Sequence, residues 1–228
     1  MARLPFLALV LALALAACKG KEEEGTVVPT PFEGTITLRL DDPGKAPDEV
    51  VYEIKGDKFR VALPPQTNGG RQGYIVFDSG TKQAILALDD RKTWTTVDLS
   101  KGGIGAPALP SLGTASPSPD LVGKHEVVAG YRCEAWGFAG DEANTSICVV
   151  KGVPWFTVPN AAPNSPVMKD LASGKMFPLR MVVKSKDGVV RRKMEATKIE
   201  PGPIAEGRMS VPPDYRKIDI AEMMSDKK

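Results

Sequence analysis

The chain has 228 residues, of which 30 are Lys or Arg, 28 are Asp or Glu, and one is His. Because the charges nearly balance, the protein has no general excess of basic residues with which to bind nucleic acid or anionic lipid. The single histidine excludes a zinc site built from several histidines, and the 22 Gly and 20 Pro indicate a chain with many turns.

The first 18 residues follow the pattern of a bacterial lipoprotein leader. Arg3 precedes the apolar run Leu4–Leu15, and two alanines separate this run from Cys18. The order Leu-Ala-Ala-Cys resembles a lipobox, at which the leader is removed and the new N-terminal cysteine is acylated. We therefore predict a signal peptide over residues 1–17 and a lipid anchor on Cys18, whose several acyl chains bind a membrane stably.

Two other interpretations of this leader are weaker. A membrane-spanning helix needs about 20 apolar residues, and the run Leu4–Leu15 is too short. An ordinary secretory signal cleaved after Ala17 gives no reason for a cysteine at the next position. Because Lys19, and not an aspartate, follows Cys18, the pattern favours a protein anchored in the outer membrane and facing the periplasm.

Residues 18–31 show no periodicity and contain no aromatic side chain. This composition is typical of a flexible tether. Arg3 is the only charged residue of the leader, so the protein without its leader keeps 29 basic and 28 acidic residues and is close to neutral. A chain of this length predicts one β-rich domain over residues 32–220 and a short tail over 221–228, which we expect to be helical.

Apolar and polar residues alternate with a period of two after Phe32, which predicts half-buried β-strands. Gly56 and Asp57 separate two such runs and predict a hairpin. Two later runs are apolar on both faces, which predicts strands covered on both sides. The strands predicted in this half are Phe32–Leu40, Val50–Ile54, Phe59–Leu63, Gly73–Asp78, Lys82–Leu88 and Trp94–Val97.

Residues 99–120 interrupt this regular pattern. Gly, Pro and Ser dominate the segment, and no period survives. The composition indicates a long loop, a flap or a disordered segment. A domain boundary is the other interpretation, but too few strands lie on either side to build two separate cores.

The second half resumes the strand pattern and contains the two remaining cysteines. Runs at Tyr131–Phe138 and Thr145–Val150 predict a hairpin, and Cys133 and Cys148 are equidistant from the Gly140/Asp141 junction. A turn at this junction would place the cysteines opposite each other, and export would supply an oxidising compartment. We predict a structural disulfide. A zinc pair lacks further ligands, and a redox-active pair usually has C-x-x-C spacing.

The remaining elements follow from local turn and capping residues. Ser165 and Pro166 precede a run with the pattern of a short helix. Asp187 and Gly188 separate two further strand patterns and predict another hairpin. The predicted elements are a helix at Val167–Ser173, strands at Phe177–Lys184 and Val189–Ile199, and a last extended piece at Tyr215–Ile220.

No combination of residues in the sequence meets the needs of a catalytic site. Nucleophilic catalysis of the Ser/His or Cys/His type would have to use His125, which has no catalytic motif near it and is more simply a structural or surface histidine. Asp41-Asp42 and Asp89-Asp90 lack the spacing of a calcium loop. We therefore expect no enzyme, no metal site and no cofactor.

Five short phrases, taken in order, resemble a family of bacterial envelope proteins known as domain-of-unknown-function family 4412. No catalytic residues are established in that family that could be carried over. At the level of fold, the family resembles the curved antiparallel half-barrels of the periplasmic lipoprotein carriers (LolA/LolB-like), although this chain lacks their long N-terminal helix. The phrases, within Phe32–Ile220, are Phe32–Gly34, Tyr52–Lys58, Gly130–Trp136, Phe177–Arg180 and Val211–Tyr215.

These patterns together predict a mainly β protein, with a curved antiparallel meander sheet and one or two short helices. The favoured function is a non-catalytic binding module for a lipid or another apolar ligand, with Trp94 and Trp136 as candidate ligand contacts. The alternative is a structural or protein-interaction component of the envelope that uses residues 99–120 as a contact loop. The expected partners are a membrane, an apolar ligand or an envelope protein, and no nucleic acid.

Overall fold

The computed structural model describes residues 24–63, 72–99, 116–118, 124–140, 143–155 and 175–225. These residues form one 13-stranded sheet, a 3-10 turn at Glu206–Met209 and one short helix, α1, at Ile220–Ser225. The strands are β1 Glu33–Asp41, β2 Asp48–Lys55, β3 Lys58–Ala62, β4 Gly73–Asp78, β5 Gln83–Leu88, β6 Thr93–Asp98, β7 Ser116–Ser118, β8 Lys124–Val128, β9 Tyr131–Ala139, β10 Ala143–Lys151, β11 Met176–Ser185, β12 Val190–Pro201 and β13 Arg216–Lys217.

The sheet consists of two antiparallel meanders, β1 to β6 and β9 to β12, which are joined at its middle by the pairing of β1 with β12. Its order is β13-β6-β5-β4-β3-β2-β1-β12-β11-β10-β9, and β7 and β8 both pair with β9. Every pair is antiparallel except β13 with β6. The predicted curved antiparallel sheet is therefore confirmed, and the sequence-distant pair β1–β12 joins its two halves.

The predicted coverage of β4 on both faces is also confirmed. Ile75 and Phe77 belong to the main core, while Tyr74 and Val76 belong to a second cluster of buried residues. The second cluster includes Met209, from the segment after β12. The two apolar faces of β4 therefore pack against two separate clusters of buried side chains.

Cys133 and Cys148 form the predicted disulfide, with their Cα atoms 5.4 Å apart. The expected register was wrong, because Cys148 lies opposite Ala135 and not opposite Cys133. Gly140 N–H donates to Ala143 O at 2.9 Å, and Asn144 lies opposite Ala139, so the midpoint of the hairpin lies one position after the Gly140/Asp141 junction. This shift moves the register by two residues and makes the cysteines diagonal neighbours.

At the other margin of the sheet, β8 folds back across its neighbours. Glu126 on β8 forms an ion pair with Arg180 on β11, and β8 also contacts β12. Residues 147–150 of β10, which include Cys148, are buried at consecutive positions, as expected for a strand covered on both faces.

The segment after β12, residues 202–225, crosses to the β6 margin of the sheet and is here called the C-terminal strap. Ile204 N–H donates to Glu33 Oε1 at 2.7 Å where the strap begins. Further along, β13 adds in parallel to β6, and Met223 of α1 joins Leu88 in a small buried cluster. The strap therefore supplies the outer cover that β4 and β5 require.

Residues 24–31 lie against the sheet, which corrects part of the predicted tether over residues 18–31. Thr26 N–H donates to Gly130 O at 2.9 Å, Arg132 N–H donates to Thr26 O at 2.8 Å, and Val28 is buried. Cys18, the predicted helix at Val167–Ser173 and most of residues 99–120 lie outside the described residues.

Gly34 of β1 lies very close to the backbone of the neighbouring strand β12. We expect Gly34→Ala to lower the free energy of unfolding by about 2 kcal/mol. Its φ is +149°, and an added Cβ would lie 2.2 Å from the carbonyl oxygen of Glu200. Urea unfolding of the purified variant measures this loss. Gly202→Ala is the matched control, because an added Cβ there meets nothing within 4 Å, and an equal loss in both variants would contradict the explanation.

Candidate functional site

Five aromatic side chains meet where the two halves of the sheet face each other. Trp155, which follows β10, lies 5.2 Å from Tyr52, 6.3 Å from Phe59 and 4.7 Å from Phe177 between ring centroids. Phe59 stacks in turn on Phe77 at 4.7 Å. Offset and edge-to-face contacts of this kind stabilise beyond the area that they bury, and burial raises the pKa of the Tyr52 phenol, which therefore stays neutral.

A small recess, partly open to solvent, lies beside this aromatic group. Phe59, Phe77, Trp155 and Leu99 supply its apolar lining. Its rim is polar and comes from the turn between β4 and β5. We call this feature the aromatic recess, and its lining is complete with Asp78, Ser79 and Lys82.

The rim of the aromatic recess is held in place by local hydrogen bonds. Asp78 Oδ1 accepts from the backbone N–H groups of Gly80 and Thr81, each at 2.9 Å. Ser79 Oγ donates to Asp57 O at 3.0 Å, which ties this turn to the β2–β3 turn. Because the rim is fixed before any ligand arrives, binding there would need little ordering of the chain.

The structure does not bring the two sequence-predicted tryptophans together. Trp94 packs against the second cluster, and Lys217 Nζ lies 5.0 Å from the centre of its ring. Trp136 lies opposite Ile147 against the main core, and its buried Nε1 has no acceptor among the described residues. Neither lines the aromatic recess. Trp155 lines it, although the Pro-rich sequence around Trp155 has no periodicity that would predict its position.

An ionic cluster on the outer surface holds the C-terminal strap. Arg208 contacts Glu53 through Nε, at 2.9 Å, and through Nη2, and Arg60 Nη1 lies 3.4 Å from Glu53 Oε2. The Arg60 guanidinium also lies 4.0 Å from the centre of the Tyr74 ring. Burial, with the nearby charge of Arg208, lowers the pKa of Arg60. No sequence pattern predicts this cluster, because Glu53 and Arg208 are far apart in the chain.

The structure gives no support to a catalytic or metal role for His125. It is an exposed residue of β8 and lies opposite Glu134. Within the described ranges, no group of three or more His, Cys, Asp or Glu side chains is arranged to hold a metal ion. The expectation that the protein is not an enzyme stays a prediction.

Tyr215 fastens the strap through a hydrogen bond from its hydroxyl to Asp89 Oδ1 at 2.7 Å. Burial, and then this bond, raise the pKa of Tyr215 to about 12, against about 10 in an unfolded chain. The stability from the protonated phenol is therefore complete below about pH 10 and is lost as the pH rises through about 12.

We expect Tyr215→Phe to lose less stability than the unmodified protein over this alkaline window. Urea midpoints measured across the window test the expectation. Tyr131→Phe, in the other half of the sheet, is the control, and parallel pH profiles for Tyr215→Phe and the unmodified protein would contradict it.

The profile of one protein family matches residues 32–215, which is most of the chain and all of the strands from β1 to β12. The chain belongs to the DUF4412 family, a family defined by a domain of unknown function. This membership confirms the resemblance carried by the five short phrases. A comparison with curated protein sequences gives no match.

Solved structures with a similar fold have little sequence in common with this member of the DUF4412 family. The chain spans about a third of PNGF-II and somewhat more than half of MucB. One similar structure is that of PNGF-II, with 11% sequence identity and a TM-score of 0.46 over 82% of this chain and 31% of that chain. Another is the MucA/MucB complex of Pseudomonas aeruginosa, with 14% identity and a TM-score of 0.36 over 82% of this chain and 58% of that chain. A third is the LolA superfamily protein NE2245 of Nitrosomonas europaea, with 11% identity and a TM-score of 0.32 over 80% of this chain and 92% of that chain.

No helix among the described residues is both long enough and apolar enough to cross a membrane.

Proposed function

We propose that this DUF4412 protein is a lipid-anchored envelope protein whose domain binds an apolar group without catalysing a reaction. The observation that supports binding is the aromatic recess, where Phe59, Phe77 and Trp155 meet beneath a polar rim. Ligand sites typically combine an apolar lining with a few fixed polar groups. The hydrogen-bonded turn at Asp78 and Ser79 supplies those polar groups.

The size of the aromatic recess limits what it holds. The space in it that a water-sized group can occupy is about 10 Å³, which is roughly the space that one water molecule needs. The recess therefore suits no more than the terminal methyl group of an acyl chain or the tip of a side chain, and not a whole lipid. A sheet with an empty inner face would accept a larger ligand. Here the aromatic side chains already fill much of that face.

The cellular location in this proposal rests on the leader. Cys18 carries the lipid, residues 1–17 are removed, and Lys19 directs the protein to the outer membrane. The disulfide between Cys133 and Cys148 is consistent with an oxidising compartment of this kind.

Two variants of the full chain test the proposal. Cys18→Ser is expected to abolish incorporation of labelled palmitate and to release the protein from the membrane fraction, because the acylated thiol is gone. Lys19→Asp is expected to keep the label and to move the protein to the inner membrane. Labelled palmitate on the Cys18→Ser chain would contradict the anchor assignment.

Binding is tested by calorimetric titration with decanoate, which offers the end of a single acyl chain. We expect saturable binding to the full chain with one site, and an affinity at least tenfold lower in Leu99→Arg, because a charge in an apolar site is costly. Val190→Arg is the matched control, since Val190 is 40% exposed and lies away from the aromatic recess. Unsaturable binding, or equal loss in both variants, would show that the recess is not the site.

A further inference from the structure

The strand pairing gives the sheet two distinct ends. Thr26 joins the sheet at the turn between β8 and β9. The register places this turn, the end of β10 and the beginning of β1 at one end, which we call the anchor end. The turns β2–β3 and β4–β5 and the end of β6 lie there too, because Lys55 pairs with Glu33, Asp78 with Lys58, and Asp98 with Gln83.

The opposite end of the sheet, the far end, contains the other hairpin turns. The β1–β2, β5–β6 and β11–β12 connections all lie there. A strand of nine or ten residues is about 30 Å long. Groups at the two ends are therefore separated by a distance comparable to the thickness of a bilayer core.

The aromatic recess lies entirely at the anchor end. Phe59 is the second residue of β3, and Phe77 is the last but one of β4. Ser79 and Lys82 belong to the β4–β5 turn, Leu99 directly follows β6, and Trp155 follows the end of β10. An added Cβ on Gly152, three residues before Trp155, would lie 2.5 Å from Thr30 Cγ2. The N-terminal segment thus passes close to the recess.

The length of chain before Gly25 limits how far this end can lie from the lipid. Gly25 lies seven residue steps after Cys18, and a fully extended chain of seven steps spans about 25 Å at most. An anchored domain therefore has its anchor end within this distance of the bilayer. The far end lies roughly another 30 Å away when the strands stand upright.

We propose that the anchor end is the membrane-facing surface of the domain and that the aromatic recess opens onto the phospholipid interface. The occupant of the recess then comes from the bilayer as the end of an acyl chain, and not from solution. This inference rests on the lipid anchor of the proposed function. The structure adds to it the end of the sheet at which the recess lies.

The exposed side chains of the anchor end suit a phospholipid interface. Val27 is 74% exposed, and Lys58, Arg132 and Lys175 at the same end of the sheet are exposed with no ion-pair partner among the described residues. Asp57 is also exposed at this end. The path of the chain, and not net charge, therefore decides the orientation.

Photo-cross-linking of the full-length lipidated protein tests the orientation. The protein is reconstituted in vesicles of phosphatidylethanolamine and phosphatidylglycerol that contain tritiated phospholipid. Benzoylphenylalanine replaces Lys58 or Lys175 at the anchor end, Leu99 in the recess, or the exposed controls Lys45 and Lys186 at the far end. We expect at least tenfold more tritium on the chains labelled at the anchor end and in the recess than on the controls.

Four outcomes separate this inference from the proposed function. Equal or greater labelling at Lys45 and Lys186 overturns the orientation, and so does lipidated protein that is labelled at no position. Labelling at Lys58 and Lys175 without labelling at Leu99 overturns the opening of the recess onto the bilayer. A chain whose intact mass shows no lipid on Cys18 overturns the anchor itself, and the Cys18→Ser chain is expected to lose labelling at every position.

Discussion

Trp155→Ala is expected to lower the free energy of unfolding by about 4 kcal/mol, since large-to-small changes at buried aromatic positions cost about 3–5 kcal/mol. Trp155 is 3% exposed and contacts rings from both halves of the sheet, including Tyr52 and Phe177. Its removal would leave a cavity between strands that cannot approach each other, because β1 and β12 already fix their positions.

Urea unfolding followed by circular dichroism measures this loss. Trp94→Ala is the matched control, because Trp94 is only partly buried and lies in the second cluster, and we expect a clearly smaller loss there. Trp155→Phe is expected to recover part of the stability, since it keeps an apolar ring in the same space. A loss no larger for Trp155→Ala than for Trp94→Ala would contradict the central position assigned to Trp155.

Removing the disulfide is expected to lower the free energy of unfolding by about 3 kcal/mol, because the bond closes a short loop in the unfolded chain. Cys133 and Cys148 are 15 residues apart in sequence, and both are almost fully buried. The double variant Cys133→Ala, Cys148→Ala is preferred to serine, because a buried hydroxyl without a partner would add a cost of its own.

Unfolding with and without a reducing agent separates the bond from the side chains. The reductant is expected to destabilise the unmodified protein and to leave the double variant unchanged. Stability that does not respond to reductant in the unmodified protein would contradict a stabilising disulfide. The single variants remove one thiol each, and each is expected to lose most of the effect, because either change breaks the same bond.

Local patterns allowed the sequence to predict most of the strands. The β2–β3 and β11–β12 hairpins follow from alternating residues around Gly56 and Gly188, both of which have positive φ. Pairing the cysteines required only their number and compartment. Their register was wrong because one residue in the position of a turn, which local sequence specifies poorly, moves the opposite strand by two.

The aromatic recess could not be predicted, because its lining comes from four separate parts of the chain. Phe59, Phe77 and Leu99 belong to the meander, while Trp155 follows β10. The two tryptophans chosen from the sequence are in different clusters. Residue type indicated an aromatic site, but only the curvature of the sheet decided which aromatic side chains meet.

The sequence by itself determined the class of the fold, the strand pattern, the disulfide pair and membership of the DUF4412 family, since each depends on residue type and short-range order. Only the tertiary structure decided that β1 pairs with β12, that the C-terminal strap binds Glu53 through Arg208, and that the N-terminal segment and the recess share one end of the sheet. These contacts join residues more than 100 positions apart, and no local periodicity records them. Whether these residues meet depends on the twist of each strand and on the position of each turn. Both are set by the packing of the whole sheet.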